Sequence, residues 1–178
     1  MIDAADTELR DTKVHYLRMD QPLDYHGLNN SSLSLRVLER PIDVRYYLEL
    51  YQGVGLNCNW LDRLVMPESE LEELINQEGV WIYLFFHEDD PCGFVELVEG
   101  AGFVEILYFG LFSEYIGQGL GVPCLKQSVE KAWALEPEWL QLNTCELDNP
   151  AALDVYIRAG FKIYQERIEQ RRMIRAGR

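Results

Sequence analysis

Three glycines at alternate positions, Gly117, Gly119 and Gly121, lie between an apolar, aromatic run (Val104 to Leu111) and a segment with Pro123 near its start. Alternate glycines let a backbone take positive φ and remove the side chains that would hold a ligand away. With a strand before the loop and a helix after it, the N–H groups at the helix start and the helix dipole form a seat for an anion such as a pyrophosphate. One carboxylate, Glu105, stands inside the apolar run. Desolvation there is expected to raise its pKa towards neutrality, which would suit it to work as a general base. A second patterned stretch follows, from Asn149-Pro150 to Gly160-Phe161. It reads as a helix with Asn149 as N-cap, Pro150 at the first helical position and Gly160 just past the end.

The elements that must position these residues are legible in outline. Residues 1–13 are polar and expected to be loosely held, with a strand or extended arm at Val14 to Met19 and a loop across Gln21–Ser32. Leu33 to Leu38 reads as a strand, Pro41 to about Gln52 as a helix stopped by Gly53, and the residues after Pro67 as a second helix. Val80–His87, Cys92–Val98 and Phe103–Leu111 are strands joined by short turns, hence an antiparallel meander. A helix at about 120–135 leads to a strand, Leu140 to Cys145, that returns after the helix and so should run parallel to the strand before the loop. Phe161 to Tyr164 and Gln170 to Ile174 are expected as a final strand pair. The fold class is mixed α/β (α+β, with a mixed sheet), in one domain spanning 1–178.

Composition narrows the function. Apolar residues make up 48% and charged residues 26% of the 178, the balance of an ordinary water-soluble globule. The chain carries no apolar run long enough for a membrane span, and its acidic start lacks the pattern of a secretory signal, so the cytoplasm is the expected location. Cys58, Cys92, Cys124 and Cys145 are scattered without a C-x-x-C pair, which suggests reduced thiols, Cys145 being nearest the proposed site. The histidines show no metal-ligand spacing, and no metal is expected. A net charge of −14 would repel nucleic acid and attract a cationic substrate such as an amine, or simply serve solubility.

Two common phosphate sites do not fit the loop. A Walker-type site needs Gly-Lys-Ser/Thr where Gly121 is followed by Val122-Pro123, and a dinucleotide fingerprint needs G-x-G-x-x-G on the first strand of a parallel sheet. The two motifs together resemble the GNAT superfamily of acyl-CoA-dependent N-acyltransferases. Ile116-Gly117-Gln118-Gly119-Leu120-Gly121 is similar to its Q/R-x-x-G-x-G/A loop, and Asn149 to Phe161 is similar to its N-x-x-A-x-x-x-Y-x-x-x-G-F signature. The resemblance covers residues 80–175 well and 1–79 only in outline. Ile116 stands where the family carries Gln or Arg, which puts one phosphate contact in doubt.

The resemblance implies a sheet whose two parallel strands splay to admit coenzyme A, with acetyl-CoA as acyl donor. It implies pantetheine pairing at Phe109, Gly110 and Leu111, an oxyanion donor near the Phe109 N–H, a diphosphate cradle over Ile116 to Gly121, and an Asn149 that caps its helix and touches the pantetheine arm. Gly110 would suit a bulge or a close ligand approach. Tyr156 falls where the family's thiolate-protonating tyrosine sits, and Glu105 where some members carry their base. The acceptor would be walled by Tyr46, Tyr47, Tyr51, Asn57, Asn59, Trp60, Asp62 and Arg63, with Tyr47, Asn59, Trp60 and Asp62 foremost. The expected function is acetyl transfer to a primary amine by direct attack. The acceptor stays open among small amines, polyamines, antibiotic amino groups and protein N-termini, and the family often forms homodimers. A catalytically silent CoA-binding or regulatory module of the same fold is the alternative, and a nicotinamide-dependent oxidoreductase a distant third.

Overall fold

The computed structural model describes residues 4–24 and 32–175. Residues 25–31, part of the expected Gln21–Ser32 loop, lie outside the described residues. Seven strands, β1 (Thr7–Met19), β2 (Leu33–Val37), β3 (Val80–His87), β4 (Asp90–Glu99), β5 (Phe103–Leu111), β6 (Trp139–Cys145) and β7 (Lys162–Ile174), form one sheet in the order β2-β3-β4-β5-β6-β1-β7. Every neighbouring pair is antiparallel except β5 with β6, which is parallel. The mixed α/β class, the meander and the parallel pair are those the sequence predicts.

Alternate residues along the central strands face different helices. Ile82, Leu84 and Phe94 pack with Tyr47, Leu64, Leu71 and Ile75 of α1 (Val44–Gly55), α2 (Asp62–Val65) and α3 (Glu68–Asn76). Phe85, Val95, Leu97 and Leu142 pack instead with Cys124, Leu125 and Val129 of α4 (Gly121–Trp133), with Phe161 beyond α5 (Ala152–Arg158). Burying each large apolar side chain contributes about 1.5–3 kcal/mol, so the period-two pattern of the meander sorts the helices onto the two faces.

Several boundaries differ from expectation for local reasons. The segment expected to be loose is, from Thr7 onward, a thirteen-residue strand clamped between β6 and β7. It reads as polar because one face of the sheet here is not covered by a helix. The expected final strand pair is one continuous strand, β7, which pairs along β1 rather than on itself. Helix α1 begins later than Pro41, at Val44, because the Asp43 side chain accepts the Tyr46 N–H; it then runs through Gly53 to Gly55. The short helix α2 was not expected.

Candidate functional site

The ladder between β5 and β6 runs from Phe103–Trp139 to Ile106–Leu142 and stops. At that point β5 carries a bulge, with Ile106 opposite Leu97 but Tyr108 opposite Glu96, leaving Leu107 unmatched. Beyond it β5 stays paired with β4 up to Leu111, while Asn143 to Cys145 stay paired with β1. Each strand is held by its other neighbour, so the two diverge. A cavity of about 120 Å³ opens between them, lined among others by Trp60, Phe109, Asn143, Cys145, Asp148 and Tyr156. The Phe112 N–H donates to Cys92 O on the β4 side; by the alternation of a strand, those of Leu111 and Phe109 point into the gap.

Gly110 is not the bulge. A Cβ on Gly110 would lie 2.3 Å from Val54 Cγ1, so the glycine is required for α1 to pack closely on β5.

In the loop before α4, Gly117 and Gly119 take φ of +83° and +77°, and a Cβ at either would meet nothing within 4 Å. The space beside the loop is therefore open on the side where the backbone is left-handed. No side chain caps α4, whose N-cap is Leu120. Among the described residues, the N–H groups of Gly117, Gln118, Gly119 and Leu120 donate to no backbone carbonyl. The Gln118 amide turns back to Glu114 O at 2.7 Å, and Ile116 is exposed and offers no polar group. A diphosphate fits this cradle of backbone donors.

On the far side of the gap α5 holds Tyr156, whose ring meets that of Phe109 edge-on at 6.3 Å. Burial, then the neighbouring Asp148 and Cys58, pushes its phenol pKa up, so the hydroxyl keeps its proton. Asn149 does not cap α5 directly. Its Oδ1 accepts the Ala151 N–H at 2.9 Å and its carbonyl the Ala152 N–H at 2.8 Å, a turn that sets the helix entry. Gly160, at φ +99°, ends the element as expected.

Asp148 is one of the cavity residues that sequence reasoning missed, with Cys58, Asn143, Arg171 and Arg172. Its Oδ2 accepts from Thr144 Oγ1 at 2.7 Å and from the Cys145 N–H at 2.9 Å, and its Oδ1 accepts from Trp60 Nε1 at 3.2 Å. All three donors are neutral. Burial and Asp148 also push up the Cys58 and Cys145 thiols, which line the cavity as thiols rather than thiolates.

The acceptor wall is partly as expected. Tyr51, Asn59, Trp60 and Asp62 line the cavity, Asn59 in a left-handed conformation that turns the chain from α1 towards α2. Tyr47 does not. It is fully buried, and its hydroxyl donates to Glu96 Oε2 at 2.6 Å. Arg63 forms no pair with Asp62: it is buried and donates to Glu96 Oε1 at 3.0 Å, while Asp62 meets Arg172 at 3.4 Å. Tyr46 is exposed, and the side chain of Asn57 lies outside the described residues.

Glu105 is half-buried and stands one residue back from the cavity. Its Oε1 accepts from Gln141 Nε2 and Asn143 Nδ2, both at 3.2 Å. Asn143 in turn lines the cavity and accepts from Arg171 at 3.1 Å. Among the described residues no cluster of His, Cys, Asp and Glu is placed to hold a metal ion, and no helix is long and apolar enough to cross a membrane.

Residues 47–161 match the model of the acetyltransferase (GNAT) family. No curated protein matches the sequence. Among solved structures, the chain is similar to a GCN5-related N-acetyltransferase from Sphaerobacter thermophilus, at 16% identity and a TM-score of 0.67, covering 95% of this chain and 54% of that one. It is similar to a tandem GNAT protein from the clavulanic acid biosynthesis pathway, at 17% identity and a TM-score of 0.62, covering 92% of this chain and 53% of that one. An aminoglycoside acetyltransferase from an uncultured soil metagenomic sample is 15% identical with a TM-score of 0.58, over 74% of this chain and 89% of that one. The chain thus spans about half the length of the first two, and at these identities the likeness is one of fold.

Proposed function

The chain belongs to the acetyltransferase (GNAT) family, and on that premise we propose that it transfers an acetyl group from acetyl-CoA to a primary amine by direct attack in the opening between β5 and β6. The observation that carries this reading is that the parallel ladder ends at Ile106–Leu142 with Tyr156 and Asp148 lining the gap beyond it. The backbone N–H groups of the loop from Gly117 to Leu120, together with the start of α4 at Gly121, bind the diphosphate, and Leu111, Gly110 and Phe109 lie along the pantetheine arm, with Asn149 at its side. Bound acetyl-CoA supplies a thioester carbonyl as electrophile and a thiolate as leaving group.

This chain's residues handle the charges. The Phe109 N–H, directed into the gap, holds the carbonyl oxygen as negative charge develops on it. Asn59, Trp60 and Asp62 wall the acceptor. Asp148, ringed by neutral donors, offers its charge to the incoming ammonium. Freeing the lone pair of an alkylamine at pH 7 costs roughly 4–5 kcal/mol, and a carboxylate base reduces that barrier. Glu105 takes the proton through water, its position fixed by Gln141 and Asn143. As the C–N bond forms and the C–S bond breaks, the Tyr156 hydroxyl gives its proton to the departing sulfur. The chain acts in solution, in the cytoplasm, without a metal.

A thiol-release assay with acetyl-CoA and a panel of small amines, polyamines and aminoglycosides, run beside calorimetry with CoA, tests the reading. Saturable thiol release with at least one amine is expected. CoA binding without release from any amine would favour the silent module.

A further inference from the structure

Two arginines of β7, Arg171 and Arg172, line the same cavity as Asp62 and Asp148. A positively charged amine gains nothing from two guanidiniums in the wall of its own site, and the chain as a whole carries a net charge of −14. Their bonding leaves donors to spare. Arg171 bonds through Nη2, to Asn143 Oδ1 at 3.1 Å and Glu169 Oε2 at 3.2 Å, and among the described residues its Nε and Nη1 make no hydrogen bond. Arg172 donates from Nη1 to Thr7 Oγ1 at 2.7 Å, and its Nε lies 3.4 Å from Asp62, whose side chain is 59% exposed. Its Nη2 makes no hydrogen bond among the described residues. Arg10 stands directly opposite Arg171 in the β1–β7 pair, a like-charge juxtaposition that is unfavourable without an anion nearby.

The cavity therefore has two poles. Asp148 is the negative one, with neutral donors as its partners, and the arginines form the positive one. Both poles act on the Cys145 thiol, Asp148 raising its pKa and Arg171 lowering it, so the two charges reach the same part of the cavity. Resting on the acetyl-transfer reading above, we propose that the acceptor is a free amino acid, its ammonium at Asp148 and its carboxylate on the open donors of Arg171 and Arg172.

Guanidinium N–H groups suit a carboxylate in both charge and geometry. Asp62 and Glu169 already offset part of the positive charge, so the wall favours a singly charged anion over a dianion such as a phosphate ester. A site built to bond a polar group rejects the analogue that lacks it, because its own partly buried donors are then left unpaired. Simple amines and polyamines are such analogues.

The test compares pairs that differ by one carboxylate: common amino acids against their decarboxylated amines, such as alanine with ethylamine, lysine with cadaverine and phenylalanine with phenethylamine. Thiol release with acetyl-CoA and calorimetry on the CoA-saturated full chain are read side by side. In at least one pair the amino acid should exceed its counterpart at least tenfold in kcat/KM and in affinity, with its methyl ester behaving like the decarboxylated amine. Arg171→Gln and Arg172→Gln should each bring that ratio towards one, and Arg171→Lys should restore part of it. The ratio is the readout because Arg171 also holds Asn143, and a merely structural loss lowers both members of a pair alike. Circular dichroism confirms that each variant is folded. Thiol release with a ratio at or below one in every pair, or a ratio indifferent to both arginines, would overturn the carboxylate seat and leave acetyl transfer standing. Carboxylate-dependent binding of an amino acid with no thiol release would uphold the seat and overturn acetyl transfer, and neither binding nor release would overturn both.

Discussion

The indole N–H of Trp60 donates to Asp148 Oδ1 at 3.2 Å across the opening between β5 and β6. The bond joins the connection between α1 and α2 to the turn between β6 and α5, two segments that otherwise stand on opposite sides of the cavity. Trp60 is also braced from behind, its ring 5.0 Å from that of Tyr108 and 5.7 Å from that of Tyr51. Trp60→Phe removes the donor and keeps an aromatic ring, though a smaller one, against Tyr51 and Tyr108. Since one hydrogen bond contributes about 0.5–1.5 kcal/mol net, the variant should fold and bind CoA normally, while KM for the amine rises about 2–13-fold by that arithmetic. Unchanged acceptor kinetics would mean that the bond does not shape the wall.

Tyr156 is expected to act through its proton. Tyr156→Phe keeps the contact with Phe109 and should lower kcat about 10²-fold, the smaller end of what a positioned acid contributes, with CoA affinity in calorimetry nearly unchanged. Its phenol pKa is raised by burial and by Asp148, so the protonated form persists to higher pH than in a free tyrosine. The kcat profile should therefore show no alkaline fall attributable to this group below about pH 10. A fall near pH 8 that vanishes in Tyr156→Phe would contradict the assignment.

Two carboxylates can be separated by neutral isosteres. Glu105→Gln leaves an oxygen able to accept from Gln141 and Asn143, so the local geometry survives and the loss of charge is what is tested. A fall of about 10²-fold in kcat at unchanged amine KM is expected for a general base. Asp148→Asn should act the other way, raising KM for a cationic amine with a smaller change in kcat. If the two variants exchange these signatures, Asp148 is the base and Glu105 a structural anchor.

What the sequence yields, and what it withholds, follows from the range of the interactions. The glycine loop and the helix that ends before Gly160 are written in consecutive residues, because turn and stop chemistry is local; the loop stands where the spacing places it, whereas the helix starts at Ala152, with Ala151 rather than Asn149 as its N-cap. Tyr47 reads as a wall residue because an aromatic on a helix beside a polar stretch looks the same whether it lines a pocket or is buried. Its true partner, Glu96, lies on a strand far along the chain. Asp148 sits in a turn where any acidic residue looks ordinary, and only the fold brings Trp60 to it. Strand β1 alternates Thr, Leu, Asp and Lys with little apolar pattern, since its pairing with β6 and β7 is set by backbone hydrogen bonds along an uncovered face.

The phosphate cradle can be probed without a steric change. Gly119→Ala adds a methyl group into open space, so any effect comes from the left-handed backbone, which costs an L-residue roughly 1–2 kcal/mol. Affinity for CoA should fall about tenfold as the loop relaxes, with little change in affinity for the pantetheine fragment alone. Equal weakening for both ligands would place the diphosphate elsewhere. Gly110→Ala should instead lower the melting temperature, since its Cβ would strike Val54.

Beneath the acceptor wall, Tyr47, Arg63 and Glu96 form a buried polar triad, with the Arg63 guanidinium 5.5 Å from the Tyr108 ring. Arg63 belongs to α2, next to Asp62, so the triad fixes that wall to β4. Removing one partner, as in Arg63→Leu, leaves an uncompensated buried carboxyl and should cost about 3–5 kcal/mol, whereas Tyr47→Phe/Arg63→Met/Glu96→Leu should recover most of it. Burial raises the Glu96 pKa, outweighing the opposing pull of Arg63 and Tyr47. A carboxyl raised in the folded state contributes stability that is complete below its unfolded pKa, about 4.3, and is lost as pH rises through the folded value. The triple variant lacks that group, so its melting temperature should gain on the wild type between pH 4 and pH 7. Thermal scans at a series of pH values decide the point, and a difference that stays flat or shrinks with rising pH would show that Glu96 is held as a fully compensated carboxylate.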